Sequence, residues 1–238
     1  MNETFAATHR DDPHLLERSH WLRASVLGAT DGIVSISALL IGVAAAVSDQ
    51  NGIVAAGVAG LVAGAMSIAA SEYISVSSQS DIERAEIVRE RRALQENPAG
   101  EMAELAAIYR ERGLSEETAQ KVAEELTQSG ALEAHLRDEV GLVDLHAASP
   151  RRAAIASGSA FGGAALLPLA AALLAPAGTV VMTVLVATLI ALVVLGALGA
   201  WVGGAPVWPA ILRTVIGGSI AMAATFGAGS LFGTLTSL

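Results

Sequence analysis

The sequence predicts an all-α fold: a polytopic membrane protein with five transmembrane helices and a cytoplasmic three-helix domain inserted between spans 2 and 3. Apolar residues collect into uncharged runs of about 20, the length needed to cross roughly 30 Å of hydrocarbon. The mean hydropathy of +0.55 and a hydrophobic content of 53% are high for a soluble domain of this size. All 14 Lys and Arg residues fall on one side of a five-span threading, as expected when basic flanks stay in the cytoplasm.

Taken in order, residues 1–20 form a polar arm containing His9, Arg10, Asp11, Asp12 and Arg18. That composition is unlike the n-region and apolar core of a cleavable signal peptide, so the first span is expected to serve as an uncleaved signal. Span one runs from Trp21 to Val47, interrupted by Arg23 and by Thr30, Asp31 and Gly32, and ends at the turn-forming Ser48-Asp49-Gln50-Asn51-Gly52. Span two begins near Ile53 and is apolar to about Ala70. No Pro lies between Pro13 and Pro98, and no Gly between Gly64 and Gly100. The second helix is therefore predicted to continue into water to about Glu96.

Asn97-Pro98-Ala99-Gly100 stops that helix, because proline disfavours helix for the residue before it. Glu101 to Arg112 reads as a helix closed by Gly113. Ser115 is an N-cap for Glu116 to Gln128, and Ala131 to Val140 forms a last short helix. The hydrophilic domain is thus residues 78–149, between membrane segments 21–77 and 150–238. Spans three to five are Ala153–Leu174, Thr179–Val202 and Ile211 to about Leu235, separated by Pro- and Gly-containing turns. An odd span count puts the termini on opposite sides. The basic residues place the N-terminus and the helical domain in the cytoplasm of a cell (inner) membrane protein.

A net charge of −9 argues against nucleic acid, whose affinity comes mostly from Lys and Arg. Cysteine is absent, so any metal must be held by carboxylate, imidazole, thioether or carbonyl groups. Two carboxylates fall within the spans, Asp31 and Glu72. An ionised group there costs a few kcal/mol, which makes a functional role the default reading; the bland reading is a local break at Asp31-Gly32 and an interfacial Glu72 paired with Arg23. Met66, six residues before Glu72, is either packing or a soft thioether ligand that would favour a transition ion. Between Asp81 and Asp144 there are 16 acidic residues against 8 basic ones. Glu83, Glu86 and Glu90 share one helical face, Glu101 and Glu104 repeat the i, i+3 spacing, and His135 with Glu139 adds an i, i+4 pair. Like charges so placed repel unless a cation lies between them. The alternative is a solvated acidic surface.

Four stretches carry a resemblance: LRASVLGATDGIVSISALLIGVAAA, GAMSIAASEYISVSSQSDIERAE, ELAAIYRERGLSEETAQKVAEEL and HLRDEVGL. From about Leu22 to the C-terminus the chain resembles the vacuolar iron transporter family, which includes the nodulin-like transporters of plants. The resemblance implies a homodimer, with a path on the two-fold axis formed by the first spans and with metal and protons exchanged across the membrane. It implies path positions at Asp31, Met66 and Glu72, and cytoplasmic metal ligands at Glu83, Glu86, Glu90, Glu101, Glu104 and Glu139. There is one departure: eukaryotic members carry Met before the last of these glutamates, where this chain has His135 and Leu136.

The expected function is export of a divalent metal, Fe²⁺ first and Mn²⁺ next, by proton antiport, with the metal as substrate and no tightly bound cofactor. The expected partners are a second copy of the chain, the lipid bilayer, metal ions and protons. A membrane-bound di-iron oxidase is the rival enzyme reading, but such sites need Glu-x-x-His on two helices. Here the match is Glu17 with His20 alone. A metal sensor or buffer that does not transport is the third reading.

Overall fold

In the computed structural model the backbone is described for residues 13–47, 49–142 and 149–236, and side chains within those ranges from Ser25 to Leu235. Of the predicted features, residues 1–12 of the arm, Ser48 and Asp144 lie outside the described residues, as do the side chains of Glu17, His20 and Arg23. Among the described residues there are seven helices, in order α1 Pro13–Ala46, α2 Gln50–Glu96, α3 Pro98–Glu111, α4 Glu116–Asp138, α5 Pro150–Leu174, α6 Val180–Val202 and α7 Val207–Thr236. α1, α2, α5, α6 and α7 are each long and apolar enough to cross a membrane. The protein is a multi-pass membrane protein of the all-α class.

The chain forms two compact units, one of Met1–Tyr73 with Arg151–Leu238 and the other of Ile74–Pro150. α2 contributes residues to both and is a single helix of 47 residues, as the lack of breakers predicts. α1 differs from expectation by starting at Pro13, eight residues before Trp21. Proline at the first helical position needs no amide partner and has its φ already set for a helix. α3 likewise starts at Pro98 rather than Glu101, with the Asn97 side chain accepting the Gly100 N–H at 3.1 Å. The two helices expected around Ser129-Gly130 are present as the two limbs of α4, separated by a kink at Gly130, whose φ of 167° and ψ of 78° are not helical.

In the membrane unit, α1 packs on both α6 and α7. The core gathers Ile36, Leu40, Ile41, Phe161, Ala165, Val184 and Met222. Lipid tails are as apolar as these side chains, so association depends on close fit between helices rather than on escape from water. Small residues provide that fit. A Cβ on Gly28 would lie 2.6 Å from the Ser157 carbonyl oxygen, and one on Gly32 would collide with the Phe161 carbonyl oxygen. Gly229 meets the backbone of Gly42 in the same way where α7 crosses α1. Helix α1 thus runs unbroken through Asp31-Gly32, and the glycine serves backbone approach rather than a local break. Ser37 and Thr188, both fully buried, share a 2.6 Å hydrogen bond from α1 to α6.

Gly32→Ala should lower the melting temperature of the detergent-solubilised protein, corresponding to an overpacking cost of about 1–3 kcal/mol. Gly163, around which a Cβ would meet nothing within 4 Å, is the control. Equal melting temperatures for Gly32→Ala and Gly163→Ala would refute the α1–α5 close approach.

Candidate metal centre

In the unit of Ile74–Pro150, Leu105, Ala106, Ala123 and Ala134 form the core between α3 and α4, with Met102, Tyr109 and Leu126 packed against it. Three elements converge at one edge. Glu90 comes from α2, Glu101 from the first turn of α3, and His135 and Glu139 from the end of α4. Each offers a ligand atom within 4.8 Å of the others. The Asn97-Pro98 turn starts α3 so that Glu101 falls in its first turn, and His135 and Glu139 are one helical turn apart. The cluster lies at the C-terminal end of α4, where free carbonyls favour positive charge.

His135 is 0% exposed and Glu90 5%. His135 Nδ1 lies 3.1 Å from Glu139 Oε2, 3.1 Å from Glu90 Oε1 and 3.9 Å from Glu101 Oε2. The hydrogen bond goes to Glu139. One ring nitrogen can share a proton with one carboxylate at a time, and Glu90 Oε1 is buried with no hydrogen-bond partner among the described residues, as is His135 Nε2. Burial raises the Glu90 carboxyl above its usual range; Glu139 adds to the rise, His135 opposes it, and Glu101 and Glu104 add further. An acid this desolvated among other acids is short of a cation.

Beside the cluster, a clasp fixes the end of α4 to α3. Tyr109 Oη donates to Asp138 Oδ2 at 2.8 Å, Arg112 donates to Asp138 Oδ1 at 2.7 Å and to the Asp138 carbonyl at 3.1 Å, and Arg137 lies 3.0 Å from Oδ2. Burial pushes the Asp138 carboxyl upward, but the hydrogen bonds from Arg112, Arg137 and Tyr109 outweigh it and hold the group below its ordinary value. The clasp therefore stays ionised at neutral pH. It fixes the residue next to Glu139.

Among the predicted ligands, Glu90, Glu101, His135 and Glu139 come together, whereas Glu83, Glu86 and Glu104 are outside the four-residue cluster. Glu83 accepts from Gln79 at 2.9 Å, Glu86 is paired with Arg89, and Glu104 is exposed. For Glu83 the reason is rise along the helix, since seven residues separate it from Glu90 by about 10 Å, too far for one ion; Glu86, one turn from Glu90, is held by Arg89 instead. A shared face is not a shared site. Sequence reasoning passed over Asp138, Tyr109 and Arg112, for which the signal available was an acid adjacent to a predicted ligand.

Asp31, the predicted path carboxylate, lines an open groove of about 340 Å³ between α1 and α2, floored by Phe161. Ser35 donates to Asp31 Oδ1 at 2.8 Å, and Ser67 and Ser71 face the same groove from α2. These serines were also missed, although Ser35 lies four residues after Asp31 and Ser67 four before Ser71. Met66 is 68% exposed and Glu72 half-buried, and neither lines the groove.

Fold and site define a class: a five-span helical membrane protein carrying a carboxylate and imidazole cluster of metal-ligand composition. The chain belongs to the VIT family, which it matches over residues 22–230. It is 40% identical over 216 residues to a vacuolar iron transporter of Acanthamoeba castellanii, covering 90% of this chain and 80% of that protein. Vacuolar iron transporter homolog 2 of Arabidopsis thaliana is 36% identical over 218 residues, covering 91% and 87%. Vacuolar iron transporter homolog 1 of Oryza sativa subsp. japonica is 37% identical over 217 residues, covering 91% and 75%.

The raised Glu90 carboxyl sets a pH dependence. As pH falls, the proton that burial favours competes with the ion, so Co²⁺ affinity should decline on acidification. Without metal the sign reverses: stability should fall as pH rises through the window from the ordinary carboxylate value to the raised one, because the folded state binds the proton more tightly. Glu90→Gln should raise the melting temperature of the metal-free protein and weaken Co²⁺ at least about tenfold by calorimetry. Undiminished affinity would remove Glu90 from the site.

Proposed function

We propose that this chain is a divalent transition-metal transporter that moves Fe²⁺, and secondarily Mn²⁺, out of the cytoplasm in exchange for protons. The observation that carries the proposal is the presence in one chain of two kinds of carboxylate site. One is a buried cluster of Glu90, Glu101, His135 and Glu139; the other is Asp31, lining an open groove within a membrane-crossing helix. A sensor or buffer needs the first only, and an oxidase has no use for the second. The names of the relatives, vacuolar iron transporters, support iron as cargo.

The distribution of Lys and Arg supports a cytoplasmic N-terminus and hydrophilic unit. The acidic cluster would then collect the ion from the cytoplasm. Asp31 would take it in the membrane and accept a proton when it leaves, since an uncompensated carboxylate is unfavourable there. Met66 and Glu72 lie off the groove of a single chain, so their part in the path requires a second copy. The homodimer belongs to the same proposal.

Purified protein in liposomes should take up Fe²⁺ faster when the interior is the more acidic side, so that protons leave as metal enters, with Asp31→Ala reducing uptake to below about a tenth. Absence of flux, or flux indifferent to the gradient and to Asp31→Ala, would overturn the proposal.

A further inference from the structure

We infer that His135 is the specificity-determining ligand of the buried cluster, making it a site for the borderline ions Fe²⁺, Co²⁺ and Zn²⁺ in preference to Mn²⁺, and against Mg²⁺ and Ca²⁺. This rests on the metal-binding part of the proposed function and sharpens its order of ions, with Fe²⁺ held well ahead of Mn²⁺ at this site. The cluster supplies three carboxylates and one imidazole. No sulfur belongs to it: Met102, the methionine of this unit, packs against the core of Leu105, Ala106, Ala123 and Ala134. Soft monovalent ions therefore find no matching donor, and selection falls to the contrast between nitrogen and oxygen.

Imidazole suits Zn²⁺, Fe²⁺ and their neighbours, whereas carboxylate, carbonyl and water suit Mg²⁺, Ca²⁺ and Mn²⁺. In an all-carboxylate site that contrast would be weak. Here the nitrogen cannot be sidestepped. His135 is fully buried, so replacing its ring nitrogen with a water ligand would require the cluster to open. Its Nδ1 stands 3.1 Å from Glu90 Oε1 and Glu139 Oε2 and 3.9 Å from Glu101 Oε2. Ligand atoms on a tetrahedral ion with bonds of about 2.1 Å are about 3.4 Å apart. The spacing matches a small coordination sphere. Three carboxylates and one nitrogen also fall short of the six to eight oxygens that Ca²⁺ gathers. The independent sign that the cluster awaits an ion is Glu90 Oε1, buried, facing the ring nitrogen and without a hydrogen-bond partner among the described residues.

The test uses full-length protein in detergent, titrated with Zn²⁺, Co²⁺, Mn²⁺ and Ca²⁺ salts. Zn²⁺ and Co²⁺ should bind roughly tenfold or more tighter than Mn²⁺, with Ca²⁺ weaker still. In His135→Gln, which replaces the nitrogen with a carbonyl oxygen, the Zn²⁺ to Mn²⁺ preference should shrink about tenfold while Mn²⁺ affinity is retained. An unchanged ratio overturns the inference. If His135→Gln does not fold, electron spin echo spectra of Mn²⁺ bound to the unsubstituted protein decide the matter. Modulation from one imidazole nitrogen is expected, and a nitrogen-free spectrum overturns the assignment. Selectivity that depends on His135 without Fe²⁺ flux in liposomes would sink the transport reading alone; flux with nitrogen-free Mn²⁺ would sink this one alone.

Discussion

Removing a carboxylate from water costs several kcal/mol unless hydrogen bonds or a cation replace its hydration. Three carboxylates in this chain meet that cost in different ways. Asp138 is fully compensated by Tyr109, Arg112 and Arg137 and acts as a structural clasp. Asp31 keeps an open groove and one serine donor, so its compensation is partial and changeable. Glu90 is buried with one oxygen unsatisfied and acidic neighbours on either side. The contrast separates residues that hold the fold from those available to a cation, a distinction that a count of acidic residues cannot make.

The same need for compensation explains what could be read from the sequence. Five spans were legible because hydrocarbon tolerates no unpaired backbone group, which forces long uninterrupted apolar helices whose signal is local. The continuity of α2 was legible because it depends on the absence of Pro and Gly. Element boundaries were less so. α1 and α3 begin at Pro13 and Pro98, earlier than apolar or acidic patterning suggested, because a proline that ends one segment is also suited to start the next. The break at Gly130, by contrast, was legible, since the glycine leaves helical geometry where the pattern ends one helix and starts the next.

The site was legible as a set of candidates, not as a constellation. Helical spacing placed Glu83, Glu86 and Glu90 on one face, yet Glu90 alone joins the cluster, because the other ligands arrive from α3 and α4 at a single height along α2. That height is set by the Asn97-Pro98 turn, the length of α4 and the Asp138 clasp, all of them tertiary facts. Glycine told a similar story in the membrane unit. Asp31-Gly32 could be a break or a contact, and the approach of the Phe161 backbone decides for contact. Spacing along one helix cannot report what another helix brings.

A transporter that collects and then releases must hold its ion less firmly along the path than at the entrance, since a uniformly tight route would not conduct. The donor sets follow that order. The buried cluster offers three carboxylates and a fixed imidazole, while the groove offers one carboxylate with serine hydroxyls and stays open to its surroundings. In the proposed transport, weak binding at Asp31 would have a further consequence. With few competing ligands, a proton can take the metal's place on that carboxylate, and the neutral acid is the form best tolerated by a membrane helix. In the proposed exchange, metal release and proton uptake at Asp31 would favour each other through one electrostatic cost, with no separate coupling device required.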